Sequence, residues 1–329
     1  RVTQWLSIMI SSLMLLTQKI TSLALDIHER KVTVITLQTG NGIHRQIAVN
    51  VLVVLSYFLF FPALLGGPLC SFVKFQQHVH RSHMSHALRP TWLLIKGCAI
   101  SFLLQMFRSL VAENIDIHGG LLDCTNLNCI YIMWITAVLF KLTYYSHWML
   151  DESLLHATGF VNECLDGSDL HIVSDLDIWA LETTHKISFF ARSWNKSTAI
   201  WMKRLVFTRC KTRPLLMTFA FSAWWHGLYP GQVVGFLCWA MMVEADYRIH
   251  KYLGACEKVQ YIRYLYKIGS WFLTQLIIAF IMVAVEMRSF AMVWALCSSY
   301  NSGFPMLQSL FLITFSKKKR TTKHSNVSK

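Results

Sequence analysis

Apolar runs long enough to cross a bilayer recur along this 329-residue chain, and they limit its fold more than any other feature. A hydrocarbon core of about 30 Å asks for about 20 apolar residues per helix. Residues 5–25, 92–112, 130–150 and 269–287 have that length. Residues 51–66 are short and are broken by Pro62, Gly66, Gly67 and Pro68, which fits a re-entrant hairpin as well as a full crossing. Residues 214–246 are too long for one crossing and read as two runs meeting at a break between His226 and Gly231. Residues 290–315 are broken near Gly303 and Pro305. In lipid each backbone polar group must be satisfied internally, and apolar runs of this length do so as helices. The expectation is an all-α, polytopic membrane bundle.

Composition excludes the common alternatives. Hydrophobic residues make up 54% of the chain and charged ones only 15%, against about 25% in an average soluble domain. That is more apolar side chain than one or two soluble cores can hide. It leaves neither an ordinary soluble enzyme nor a disordered chain, and it argues against a nucleic-acid binder despite a net charge of +14.

The charge has an address. Residues 71–90 carry Lys74, Arg81, Arg89 and four histidines, residues 192–213 seven Lys/Arg, and residues 248–267 five. The end of the chain adds Lys317, Lys318, Lys319, Arg320, Lys323 and Lys329. If each clear run crosses once and residues 214–246 cross twice, all four basic segments share one side, which the positive-inside rule makes cytosolic. The acidic stretch 113–129 and the His226 break then fall opposite. A disulfide between Cys124 and Cys129 requires that lumenal placement. Residues 151–185 hold eight acids and no Lys or Arg on the cytosolic side, which acids permit.

Two residues stand out chemically. His226 lies within an apolar run, beside a backbone break, in Ser-Ala-Trp-Trp-His-Gly-Leu-Tyr-Pro-Gly from Ser222 to Gly231. Ionisable groups at membrane depth are costly and tend to be functional. An imidazole with an ordinary pKa of about 6.5 suits proton abstraction from a hydroxyl. The competing reading is a hydrogen-bonded packing histidine. Asn195 lies in Phe-Ala-Arg-Ser-Trp-Asn-Lys-Ser-Thr from Phe190 to Thr198. Its amide can hold a carbonyl or a developing oxyanion. It can equally cap a following helix. Asn195, Lys196 and Ser197 also match a glycosylation acceptor, but the inferred topology puts them in the cytosol.

Residues 186–207 mix Phe189, Phe190, Trp194, Trp201 and Leu205 with Arg192, Lys196, Lys203 and Arg204. This is the pattern of an amphipathic interfacial helix, whose cations could also hold an anionic donor. Lys141, Tyr144, Tyr145 and His147 sit late in one run, where they line a cavity or snorkel. His118 and Asp123 fit a loose HxxxxD pattern. His78, His80, His83 and His86 read as a solvated basic face rather than a metal site. The nine cysteines form no CxxC pair and no zinc spacing. No P-loop, GxGxxG or GxSxG is present, so nucleotide-driven pumping and serine-hydrolase chemistry have no support.

The tryptophan–asparagine segment, followed about thirty residues later by Trp-Trp-His-Gly-Leu-Tyr-Pro-Gly, resembles the membrane-bound O-acyltransferase family. Its two signature residues would be Asn195 and His226. Residues 12–23, 62–72, 140–148, 219–228, 243–247 and 299–302 extend the likeness to a peptide-acylating branch. The resemblance implies one domain, residues 1–329, with further hydrophobic sequence ahead of Trp5 and a basic cytosolic tail at 317–329. It implies octanoyl transfer from acyl-CoA to a serine near a peptide's N-terminus, in the endoplasmic reticulum membrane, with no metal and no cofactor beyond the donor.

On that reading His226 is the general base and Asn195 positions the thioester carbonyl. Arg192, Trp194, Lys203, Arg204, Trp224, Trp225 and Tyr144 are the expected substrate contacts. Asn195 at one membrane face and His226 at the other would be separated by about 30 Å, so a cavity must penetrate the bilayer. The rival readings are a lysophospholipid acyltransferase, a transporter using Lys141, Glu244 and His226, and a silent binding protein.

Overall fold

The computed structural model describes residues 2–32, 43–64, 71–81, 88–113, 128–158, 177–253 and 260–310. Those residues are helical almost throughout. The helices are α1 (Val2–His28), α2 (Ile43–Leu59), α3 (Phe72–Arg81), α4 (Leu88–Glu113) and α5 (Asn128–Ala157). Three short helices follow: α6 (Ile178–Thr183), α7 (Ile187–Ser193) and α8 (Lys196–Met202), the last running into a π-helical turn (Lys203–Phe207). Then come α9 (Pro214–His226), α10 (Pro230–Leu253), α11 (Gln260–Glu286) and α12 (Phe290–Ser298).

Three described helices are long and apolar enough to cross a membrane: Thr91–Glu113, Asn128–Leu155 and Arg263–Glu286. They match the runs expected at 92–112, 130–150 and 269–287. The first is only 6% buried by protein, and Phe102, Leu103, Phe107 and Leu110 stand exposed along it. An apolar helix with such a surface requires lipid around it. The run at 5–25 forms α1, but Gln18, Lys19, Ser22 and Asp26 are buried on it and lower its hydropathy. The break expected near Gly303 and Pro305 falls slightly earlier, at the 3-10 turn Tyr300–Ser302. Residues 303–310 are helical again, and a proline in a first turn is compatible with that.

The chain divides into two compact units. The first comprises Arg1–Gln105, Tyr144–Leu176 and Asn195–Trp201. Its core is built from Leu23, Val32, Tyr57, Phe72, Phe75 and Leu155. Helix α2 stops at Leu59, just ahead of Pro62, and the fully buried Lys19 ammonium donates to the Tyr57 and Phe60 carbonyls, both at 3.1 Å. A buried cation here satisfies carbonyls that the broken helix leaves open. Gly97 of α4 lies directly against Ser153 of α5, and Ser101 Oγ donates to the Ser146 carbonyl at 2.6 Å.

The second unit comprises Met106–Thr143, Asp177–Trp194 and Met202–Lys329. Helices α9 and α10 form an antiparallel hairpin: Phe219 packs on Trp239 at one level and His226 on Phe236 at the other. Behind them lies α11, buried continuously from Thr274 to Ala284. Close approach is possible because α10 opens with Gly231 and Gly235, four residues apart. A Cβ at Gly231 would overlap the Ala284 and Met287 carbonyls, and one at Gly235 would meet Val285 Cγ2 at 2.6 Å. The Gly231 N–H also donates to the Met287 carbonyl at 3.2 Å.

Candidate active site

The stretch 186–207, expected as one interfacial helix, is instead a chain of short pieces. Its aromatic residues do not share a lipid-facing stripe. Phe190 is fully buried and stacks on Trp194, with ring centres 5.3 Å apart and planes at 17°. Trp201 is 2% exposed and donates its indole N–H to Thr21 Oγ1 of α1 at 2.9 Å. Each ring is covered by protein within its own compact unit, Phe190 in the second and Trp201 in the first.

Asn195 sits at one of those turns, between α7 and α8. Its backbone carbonyl accepts from Ala199 N–H at 2.9 Å, and its side-chain Oδ1 accepts from Thr198 N–H at 3.1 Å. That is an N-cap on the third helical residue. Because a backbone N–H can only donate, the contact fixes which end of the amide is oxygen. Among the described residues the Nδ2 group has no hydrogen-bond partner. Capping and carbonyl binding, set out above as rivals, are therefore compatible: the oxygen holds the helix and the NH2 stays available.

His226 is the last residue of α9. The helix ends there because Gly227 takes φ 115° and donates to the Trp224 carbonyl, while Leu228 N–H reaches the Ala223 carbonyl at 3.0 Å. Leu228 is also left-handed, at φ 58°, a conformation a branched side chain adopts only under constraint. The next helix is locked at once. Pro230 opens it, Tyr229 N–H is capped by Gln232 Oε1 at 3.2 Å, and Arg288 lies over the Tyr229 ring. The imidazole stacks on Phe236, 5.1 Å between centres and 21° between planes. Its side chain is exposed, and among the described residues neither ring nitrogen has a hydrogen-bond partner. Among the described residues the imidazole is packed on an aromatic ring rather than hydrogen-bonded.

His226 closes the shorter arm of the hairpin. Helix α9 has 13 residues, a rise of about 20 Å, and begins just after the basic segment that ends at Arg213. That falls short of a hydrocarbon core of about 30 Å. The pair α9–α10 is a hairpin whose two outer ends lie beside basic residues, Arg213 at one and Arg248 and Lys251 at the other.

The other candidates divide. Arg192 is exposed and donates to the Tyr247 hydroxyl, with its guanidinium over that ring. Trp194 is half-buried against Phe190. Lys203 is exposed and Arg204 half-buried on the π-helical turn, an irregularity often found at functional sites. Trp224 is 58% exposed beside His226, whereas Trp225 stacks on Phe221. Tyr144 is 36% exposed and packs on Trp148 in the first unit. Asn195 belongs to the first unit and His226 to the second.

Lys141 does not snorkel. It is buried, donates to both Glu182 oxygens at 2.8 and 2.7 Å, and reaches Gln275 Oε1 at 3.5 Å. Glu244 pairs with Arg248 one turn along its own helix. Two of the three groups a transporter pathway would need are therefore engaged structurally. Cys129 is buried and disulfide-bonded, which fits a lumenal position for the start of α5. Cys124, His83, His86, His118, Asp123 and residues 317–329 lie outside the described residues.

The pattern of the membrane-bound O-acyltransferase family matches residues 5–283. The chain is 52% identical to the membrane-bound ghrelin O-acyltransferase of Mus musculus over 322 residues, covering 95% of this chain and 72% of that protein. It is 51% identical to the Rattus norvegicus protein of the same name over 318 residues, with the same coverage. A membrane-bound glycerophospholipid O-acyltransferase 2 of Mus musculus is 28% identical over 351 residues, covering 96% of this chain and 66% of its own.

Proposed function

This chain belongs to the membrane-bound O-acyltransferase family and is an integral membrane O-acyltransferase, and from that premise we propose that it transfers octanoyl from octanoyl-CoA to a serine of proghrelin. The seat of the reaction is the endoplasmic reticulum membrane, with acyl-CoA arriving on the basic cytosolic side and the peptide on the lumenal side. The acceptor reading is supported by identity of about one half to the ghrelin acyltransferases, against 28% to the glycerophospholipid enzyme.

One observation carries the mechanism: among the described residues Asn195 spends its oxygen on a helix cap and has no partner for its NH2, while His226, at the tip of an apolar hairpin, has none for either ring nitrogen. His226 takes the proton from the serine Oγ as that oxygen attacks the thioester carbon. The carbonyl oxygen gains negative charge and accepts from Asn195 Nδ2. As the intermediate collapses, the C–S bond breaks and the imidazolium returns the proton to the departing CoA thiolate. No metal and no further cofactor enters the step. Arg192, Lys203 and Arg204 supply positive charge on the donor's side, where phosphates would be drawn. Trp194, Trp224, Trp225 and Tyr144 supply apolar walls, and burying the acyl chain is worth about 0.8 kcal/mol per CH2.

The test supplies octanoyl-CoA with either a proghrelin peptide or a lysophospholipid to the same purified preparation. Peptide octanoylation with stoichiometric release of CoA thiol is the expected result. Preference for the lysophospholipid would overturn the acceptor assignment and leave the family chemistry standing.

A further inference from the structure

Helix α7, the strut that leads into Asn195, is gripped by α10 at two adjacent residues. Asp246 is 4% exposed, and its Oδ2 accepts the Ser188 backbone N–H at 3.0 Å. The helix needs that acceptor, because its own preceding residue, Lys186, provides no side-chain cap. One residue on, Tyr247 accepts from Arg192 in the last turn of α7. The carboxylate is itself held fast. Its other oxygen meets His250 Nε2 at 3.0 Å, and His250 Nδ1 meets the Tyr266 hydroxyl of α11 at 2.6 Å. Phe190 fixes the remaining face of α7, fully buried between Trp194 and Trp239 of α10.

A buried carboxylate on a helix of an apolar hairpin is costly and is not what close packing alone would select. Here it fixes the rotation and the axial setting of a two-turn strut whose chain reaches Asn195 three residues after Arg192. Helix α10, which carries Asp246, also packs Phe236 against His226. We propose that Asp246 is a positioning residue for the acyl transfer: through the Ser188 N–H it sets α7, and α7 sets the direction of the Asn195 amide. This rests on the role given to Asn195 above.

The test compares the full chain in lipid nanodiscs with Asp246→Ala, Asp246→Asn, Asn195→Ala and the Asp246→Ala/Asn195→Ala double variant. Each is assayed for octanoyl transfer to the proghrelin peptide, with single turnovers at stoichiometric enzyme so that slow variants remain readable. Asp246→Ala lowers kcat by about 100-fold, the scale of a 1 Å misplacement, with both KM values within about threefold. Asp246→Asn, which keeps an oxygen for the Ser188 N–H, recovers most of that loss. In the Asn195→Ala background, Asp246→Ala costs no more than about twofold, because the group it directs is gone. The full factor persisting in that background, or no recovery by Asp246→Asn, overturns the proposal. Near-normal activity of Asn195→Ala overturns instead the role of Asn195, which separates the two failures. Should Asp246→Ala not fold, Tyr247→Phe loosens the second grip at an exposed position. It must lower kcat in the wild-type background and have no effect in Asn195→Ala.

Discussion

Replacing Asn195 with aspartate separates the helix cap seen in the structure from the donor role proposed for this amide. Asp and Asn are nearly equal as N-caps, so the oxygen that accepts from Thr198 N–H at 3.1 Å is retained. Helix α8 and the Trp201–Thr21 hydrogen bond at its far end should survive, leaving thermal stability within about 0.5 kcal/mol of wild type. The NH2 donor is lost, and a negative charge takes its place where the thioester oxygen becomes negative. Removing one preorganised oxyanion donor costs about 100- to 1000-fold in kcat, or about 2.7–4 kcal/mol, and the added charge acts in the same direction. Asn195→Ala removes donor and cap together. It should show the same order of rate loss, with about 1 kcal/mol of lost stability in addition. The assay is octanoyl transfer to peptide over a range of octanoyl-CoA, paired with thermal unfolding in the same detergent. Asn195→Asp retaining activity within about threefold would refute the donor argument. Equal destabilisation by Asp and Ala would refute the cap.

Three further outcomes follow from geometry outside the reacting groups. Gly235→Val drives a branched side chain into Val285 of α11, and overpacking of that kind should cost about 1–3 kcal/mol, read as a lower unfolding midpoint; an unchanged midpoint contradicts the close helix contact. Glu182→Ala strands the buried Lys141 ammonium and should destabilise by about 3 kcal/mol, whereas Lys141→Met leaves a carboxylate that water can reach and should cost clearly less; the reverse order would mean the pair is not buried on the lysine side. His185 is held below the ordinary histidine range by burial, with His250, Lys186 and Lys267 adding to the effect and Asp246 opposing it. The unfolded chain therefore takes up the proton first. Stability should be full above about pH 6.5 and decline as pH falls below it, and His185→Gln should flatten that decline in a pH series of unfolding midpoints.

The membrane architecture was legible because its cause is local. Spanning length, charge asymmetry and breakers at Pro62 and at Gly227–Pro230 are properties of short windows, and the helices ended where these indicated. The stretch 186–207 was misread because periodicity reports which residues are apolar and not what covers them. Phe190 and Trp201 are covered by protein, so the segment breaks into pieces where an interfacial helix would run straight. By composition residues 214–246 are one apolar run of 33 residues, and its division into a 13-residue and a 24-residue helix is set by the break from Gly227 to Pro230. The Asn195 alternatives could not be weighed from the sequence either, because a single amide has two ends and the sequence does not say which is occupied. Gly231 and Gly235 were visible as a small-residue pair, but their meaning depends on α11 passing behind them.

The most direct measurement is a side-by-side count of octanoylated proghrelin peptide and released CoA thiol, for the wild-type chain and for His226→Ala, in the same nanodiscs. The wild type should form one ester per thiol released, and His226→Ala should fall by about 100-fold or more while its unfolding midpoint stays close to normal. A His226→Ala protein that acylates the peptide at a near-wild-type rate would contradict the assignment of His226 as the base, and with it the mechanism built on that hairpin.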